Sequence, residues 1–478
     1  MNHTIKYIAV MLLLSLTAIT IHGQSPMSLY FMETIPQSHH DNAAMAPRAN
    51  AYISVVSFNY SLFSDVSMKD FLQQSGSEWV TPLHKNFDYG EFYDVIGDAL
   101  NMGTRGDISA LGFGFSSGRD YFSFQFSEKA VIQAGFSSDF FKLPDAGLPK
   151  GAMFDFSTMR LKAYAYKEFS IGYARELTDR LTVGVHVKPL FGQAIGMTDI
   201  SNMSLSIGEN QYDIRVNGDI YTSLPMEVYS KSGEFPDSIK FKDLEGDDYL
   251  NNYGTSFSNP GLALDFGGEY KFSDRWTFSA ALNNLGFIQW NEDLNALHAE
   301  GTYAYDGVEV SASNWDDLGD VFNDVADELK ETLSYNHTHD GFTSGLTPNM
   351  YLGAQYHVNH AISFGGLSRT TFQKQNWRQE FALSLNYNSY RFMALNVNLN
   401  TRIKGSTYMG ACTMWYMGPL QVFVMIDNVP FHLDNYYDEN GNKTQIPGEF
   451  KDLNLMAGVN LVFGSKGFRD KPMIGRNK

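Results

Sequence analysis

A single cysteine, Cys412, in 478 residues leaves no partner for an intramolecular disulfide. It also leaves too few thiolates for a multi-thiolate zinc site or a cysteine-ligated iron–sulfur cluster. Any metal chemistry would rest on oxygen and imidazole groups. Long apolar runs are missing as well. Beyond Ile21 no stretch reaches the roughly 18 uninterrupted apolar residues that a spanning helix requires, and mean hydropathy is −0.26. Charge is sparse, at 18% where about 25% is usual. Positive charge is the scarcer sign: 35 Lys plus Arg against 53 Asp plus Glu give −18, a balance that repels nucleic acid unless a local basic patch intervenes, and none is seen. What the chain has instead is 36 Phe, 27 Tyr, 6 Trp and 42 Gly. A soluble chain of this length would ordinarily split into two or three domains, and this composition builds something else.

The N-terminus carries Lys6, an apolar stretch over 7–21, and Gly23 before the polar change at Gln24. This reads as a secretory signal peptide spanning 1–23. Residues 24–48 are then a periplasmic or plug segment, 49–464 the body of the protein, and 465–478 a basic tail.

Within the body the dominant pattern is period-two alternation, the signature of strands whose faces meet different solvents. Phe122, Phe124 and Phe126 oppose Tyr121, Ser123 and Gln125. Leu181, Val183, Val185 and Val187 oppose Thr182, Gly184, His186 and Lys188. The same holds over 262–272, 276–283, 381–388, 393–400 and 453–463. These runs suit tilted strands that cross a bilayer, and a strand edge left open in hydrocarbon would leave backbone groups unsatisfied, so the sheet must close. The expected fold is all-β: a transmembrane antiparallel β-barrel of about 14 strands with short helical insertions. Turn signals at Ser116-Ser117-Gly118, 177–180, Ser273-Asp274 and 439–442 imply local hairpins. Helical spacing of Trp315, Leu318, Phe322, Val325 and Leu329 predicts an amphipathic helix over 313–333, within an insertion near 291–347. Shorter helices are predicted at 67–74 and 92–100.

Pro36-Gln37-Ser38 with Asn42 and Pro47, Gly112-Phe113-Gly114 with Tyr121-Phe122-Ser123-Phe124, and Tyr166-Lys167-Glu168 with Gly172-Tyr173-Ala174-Arg175 together resemble a family of Bacteroidetes outer-membrane barrels with no established activity. Residues 265–290, with Leu282-Asn283-Asn284-Leu285-Gly286-Phe287, are similar to that family and, more distantly, to FadL-type transporters of hydrophobic compounds. The FadL resemblance implies a fourteen-stranded barrel with an N-terminal plug and passage of apolar molecules. The basic tail after Phe463 departs from barrels that end on an aromatic residue.

Charge at membrane depth must face water or a partner. Tyr164, Tyr166, Glu168, His186, Lys188, Asp265, Glu269 and Lys271 are therefore the lumen-lining candidates, with Glu168 and Lys188 expected to pair. A lysine turned to lipid at the midplane would cost up to ~2–4 kcal/mol. The competing reading is that these groups only solvate or brace the lumen.

Other motifs carry less. Gly114-Phe115-Ser116-Ser117-Gly118 matches a nucleophile elbow in letters, but a strand-to-helix turn is needed and strands flank it on both sides. His39, His40 and Asp41, and His337, His339 and Asp340, read as solvated loops rather than metal ligands. Asp243, Glu245, Asp247 and Asp248 lack the spacing of a calcium loop. No cofactor, no metal and no enzyme activity are expected. The expected location is the outer membrane of a Gram-negative bacterium, with outer-membrane lipid and a hydrophobic small molecule as partners and no nucleic acid. The expected function is a channel or transporter for small apolar or amphipathic compounds; the alternative is a non-transporting scaffold for a secretion or surface-assembly complex.

Overall fold

The computed structural model describes residues 26–465 apart from 76–77, 83, 85, 147–148, 210, 230–233, 237, 242–256, 306–329, 373–376, 389–391, 404–406, 431–433, 438–442 and 447. Fourteen strands form one closed antiparallel ring: β1 Ala49–Ser64, β2 Ala99–Ser117, β3 Asp120–Ser137, β4 Arg160–Glu176, β5 Leu181–Ile207, β6 Pro260–Lys271, β7 Trp276–Trp290, β8 Asn349–His357, β9 Ile362–Phe372, β10 Trp377–Asn388, β11 Met393–Arg402, β12 Thr407–Met417, β13 Leu420–Pro430 and β14 Asp452–Ser465. Each strand pairs with its neighbour in sequence, and β14 pairs back onto β1 from Ala49↔Ser465 to Phe63↔Asp452. Every ladder therefore has two sides filled, as a hydrocarbon surround demands. At one end every connection is short, and there Gly118 (φ 62°) and Gly418 (φ 65°) make tight reversals that a side chain would strain. Both ends of the ring's chain, Ala49 and Ser465, lie at this short-turn end.

The alternation read from sequence becomes an inverted barrel. On β10, Phe381, Leu383, Leu385 and Tyr387 point outward and exposed, while Ala382, Ser384, Asn386 and Asn388 are buried inside. Large apolar side chains lie exposed on all fourteen strands, far more than the few hundred Å² of contiguous apolar surface that water-solvated proteins carry. Near the short turns Phe115, Phe122, Tyr173, Tyr270, Trp276, Tyr387 and Trp415 face outward, the position of an interfacial aromatic girdle. Inside, amides bond one another: Asn396 donates to Asn386 at 2.6 Å and Asn398 to Asn396 at 3.0 Å.

At the other end β5 runs on past the ring. Its residues 195–207 pair with strand Tyr212–Ser223, which pairs with Leu294–Tyr305, and that with Ser334–Thr338. The described parts of insertion 291–347 thus carry three strands, the third, Phe342–Gly345, pairing onto β7. The helix expected at 313–333 falls almost wholly outside the described residues, which show helix only at 330–332. The helix expected at 67–74 shortens to Met68–Phe71, held by a capping box between Ser67 and Asp70, and Gln73–Ser75 is strand. The one expected at 92–100 is Gly90–Ile96; Gly97, at φ 59°, ends it, and Leu100 already belongs to β2. With Ser138–Ala146 these helices bury Val66, Val80, Phe87, Phe92, Ile96, Leu100 and Phe141 as an apolar roof over β1–β3. The turn at 439–442, the acidic residues Asp243 to Asp248, the leader 1–23 and the tail from 466 lie outside the described residues.

Candidate functional site

Residues 26–48 lie within the ring. Their polar atoms reach inward-facing groups around its circumference: Ser28 N–H donates to Asp427 on β13 at 3.0 Å, Tyr30 hydroxyl to Ser279 on β7 at 3.1 Å, and Gln37 Nε2 to Asn460 on β14 at 2.7 Å. Asn283 on β7 donates to the carbonyls of His40 and Asp41 at 3.2 and 2.9 Å. The approach is close enough to demand glycine in the wall. A Cβ on Gly184 would stand 2.1 Å from Ala43 O, and one on Gly267 2.1 Å from Asn42 Oδ1.

Above this segment the inner wall gathers charge. Glu168 (β4) accepts from Lys129 (β3) at 2.7 Å and lies 3.8 Å from Lys188 (β5). Lys188 also pairs with Asp265 (β6), and His186 lies 3.2 Å from the same carboxylate. The Glu168 and Lys188 pairing is therefore loose, and each has a nearer partner. Backbone irregularity aims these groups. A register slip between Leu264 and Phe266 sits opposite Asn284, at φ 61°, whose N–H donates to Asp265 Oδ1 at 2.7 Å. Pro189 has no N–H to give, and the β4–β5 ladder skips from Glu168↔Leu190 to Ile171↔Val187. Side-chain partners thus replace ladder bonds where the charges concentrate, consistent with the cost of leaving buried ions uncompensated.

Two chambers stack over the segment. The inner one, about 60 Å³, is lined by His40 and Asp41 of the segment and by Arg105, Lys129, Glu168 and Lys188 of the wall. The outer one, about 30 Å³, is lined by Phe63, Val131, Tyr164, Tyr166 and Leu346. Arg105, Asn284 and Asn349 border both. Tyr164 and Tyr166 stack at 5.8 Å and 10°. Nε of Arg105, Oε2 of Glu168 and Oδ1 of Asn283 are buried with no hydrogen-bond partner in the protein, so the inner chamber presents donors and acceptors to whatever fills it.

Of the eight residues singled out in sequence, Tyr164, Tyr166, Glu168, His186, Lys188 and Asp265 converge here. Glu269 and Lys271 lie nearer the short-turn end of β6, only partly buried, and join none of these ion pairs. The cluster adds Arg105 and Lys129, which the sequence reading passed over. Lys129 was legible, since it continues the inward series Tyr121, Ser123, Gln125, Ser127. A second set nearer the loop end was also missed. Arg369 holds Glu380 at 2.7 Å, Arg378 reaches the same carboxylate at 3.1 Å, and Arg402 pairs with Asp452.

His39 and Asp41 correct the expectation of a solvated loop: His39 is 1% and Asp41 3% exposed. The segment folds back against the wall, so its histidines meet β1 and β5 rather than water. Nδ1 of His39 lies 3.3 Å from Nε2 of His186, and its Nε2 lies 2.9 Å from the Tyr52 hydroxyl. Burial, then the neighbouring His40, His186 and Lys188, hold His39 well below the usual imidazole range. Burial, with His186, Lys129 and Lys188, lowers His40 to about 3. His337 and His339 meet edge to face at 4.7 Å on the outer extension, bonding Asn295 and the Leu294 carbonyl. Among the described residues no three His, Cys, Asp or Glu side chains converge as a metal site. Ser116 lies in the β2–β3 hairpin opposite Tyr121, without the strand-to-helix turn of an elbow.

A closed ring of fourteen antiparallel strands, apolar outside and polar inside, with a segment of its own chain folded into the lumen, defines a membrane-type β-barrel. The chain belongs to a family of unknown function, DUF5723, whose model matches residues 44–427. No curated protein matches it. Solved structures to which it is similar include the Ralstonia pickettii toluene transporter TbuX, at 9% identity and TM-score 0.42 over 90% of this chain and 94% of that one. The P. putida toluene transporter TodX matches at 7% identity and TM-score 0.41, over 90% and 92%. A Pseudomonas aeruginosa FadL homologue matches at 10% identity and TM-score 0.37, over 90% and 94%.

Proposed function

We propose that this protein is a non-enzymatic outer-membrane channel for small apolar or amphipathic compounds in a Gram-negative bacterium, reached after removal of residues 1–23, and that residues 26–48 are its plug. The observation that carries the reading is the stacking, inside a ring closed to lipid, of an aromatic chamber upon a charged one, with Arg105 at their junction. An apolar ring system against Tyr164 and Tyr166, with a polar end at Arg105, would satisfy both environments. The lipid partner follows from the outward apolar belt. A cavity that admits benzene measures about 150 Å³, so chambers of about 60 and 30 Å³ exclude organic solutes while the plug is docked. Passage requires the plug to move.

The test is uptake into liposomes holding the purified mature protein, with a benzenoid alcohol and a sugar of similar size as probes. The alcohol is expected to enter faster than into empty vesicles, and faster relative to the sugar. Rates equal to those of empty vesicles for both solutes would sink the reading.

A further inference from the structure

We propose that the His39–His186 contact is a proton-operated latch: it holds the plug against β5 while His39 is neutral and releases residues 36–45 when the plug's own imidazoles, His39 and His40, take up protons. The latch rests on the reading of 26–48 as a plug but not on which solute passes.

The geometry leaves one neutral arrangement. Asp265, engaged by Lys188, is a carboxylate that only accepts, so Nδ1–H of His186 donates to it at 3.2 Å. Nε2 of His186 is then an acceptor, and Nδ1–H of His39 donates to it at 3.3 Å. Nε2 of His39 in turn accepts from the Tyr52 hydroxyl at 2.9 Å, and Tyr52 accepts from Tyr121 at 3.4 Å. Every ring nitrogen of the pair is committed. A proton on Nε2 of His39 would make the Tyr52 oxygen accept where it had donated, turn its O–H back toward Tyr121 against the existing bond, and place a charge in a buried site.

The surroundings give a new charge little help. Lys188 on β5 and Lys129 on β3 are cations, and their carboxylate neighbours Asp265 on β6 and Glu168 on β4 are already engaged by them. Tyr52 on β1 and Tyr121 on β3 are neutral phenols. Within the plug, the His40 ring lies 4.1 Å from that of His39, tilted by 41°, and its Nε2 is buried without a hydrogen-bond partner in the protein. Asp41 is turned toward Tyr351 on β8, at 3.5 Å.

The direction of the response follows. Docked, His39 stays neutral well below the ordinary imidazole range and His40 to about pH 3; undocked and hydrated, both return to about 6.5. The undocked plug therefore binds more protons once pH falls below that value. Docking is complete above it and weakens by about tenfold per pH unit for each histidine involved.

The test places a thiol beside the latch. Ser38→Cys in a Cys412→Ala background is labelled with a water-soluble maleimide in detergent micelles, and rates are divided by those of the urea-unfolded chain at the same pH. Heat-modifiable migration confirms a folded barrel. The normalised rate is expected to rise at least about tenfold between pH 7 and pH 5, and a flat profile overturns the latch. Adding His39→Gln should remove one proton from the slope; an unchanged slope overturns it equally. Hydrogen–deuterium exchange over 36–45 in the unmodified protein, corrected for the intrinsic pH dependence, must show the same acid-induced loss of protection, which keeps the proposal falsifiable if the variants misfold. Liposome flux is a separate readout. A working latch without flux would fail the channel reading alone, and flux without the pH response would fail the latch alone.

Discussion

Lys188 stands between two carboxylates where water barely reaches: its side chain is 5% exposed, that of Asp265 not at all. Its ammonium serves Asp265 first and Glu168 second, while Glu168 has Lys129 at 2.7 Å. Lys188→Met would strip Asp265 of its cation and leave an uncompensated charge, which typically costs about 3–5 kcal/mol. Urea unfolding in detergent should register a loss of that order. Lys188→Met with Asp265→Asn should recover much of it, because removing both ions leaves no orphan. If the double variant is as unstable as the sum of the singles, the two residues do not act as a pair. Sequence alone marked Lys188, Glu168 and Asp265 because each interrupts an apolar strand on its polar face. It marked His39 only to read it as solvated, because His39 sits in a short segment without periodicity and acquires its environment only when that segment meets Tyr52 of β1 and His186 of β5.

Strand sidedness, by contrast, is written locally. A period of two needs only a handful of residues to declare which face is oily, so β3, β5, β6, β10, β11 and β14 were readable one by one, and local hairpin signals supplied their order. What local pattern does not encode is where a strand leaves the bilayer. β5 runs from Leu181 to Ile207 without a composition break, because beyond the ring it still pairs with neighbouring strands; the strands Leu294–Tyr305 and Ser334–Thr338 escaped notice for a like reason, their partners lying far off in sequence. A direct check of sidedness uses β10. Leu383, 69% exposed, faces lipid, and Leu383→Lys is expected to destabilise the folded barrel by about 2–4 kcal/mol in bilayers if it lies near the midplane. Ser384→Ala, one residue on and turned inward, loses only the bond that Asn386 donates to it at 3.3 Å and should cost about 1 kcal/mol. Reversed magnitudes in lipid-vesicle unfolding would contradict the assignment of faces.

For the molecule as a whole, ring and inner segment make separable contributions. The fourteen ladders close without any help from 26–48, since β14 bonds β1 directly. A chain lacking 26–48 is therefore expected to insert and to show heat-modifiable migration like the full protein. In planar bilayers it should give larger and steadier conductance, since the contacts of Ser28, Gln37 and Asn283 that fill the lumen are gone. Conductance no different from the intact chain would mean that something other than this segment blocks the way.

The seam between Ala49 and Ser465 also dictates an order of events. The stave that completes the wall follows all the others in the chain, whereas the stretch to be enclosed precedes every one of them. Ser28, Thr34 and Gln37 find Asp427, Gln421 and Asn460, respectively, only once the C-terminal staves exist. The early stretch must therefore wait, unpartnered on that side, until the circle is drawn around it. Assembly would end, rather than begin, with the stopper seated.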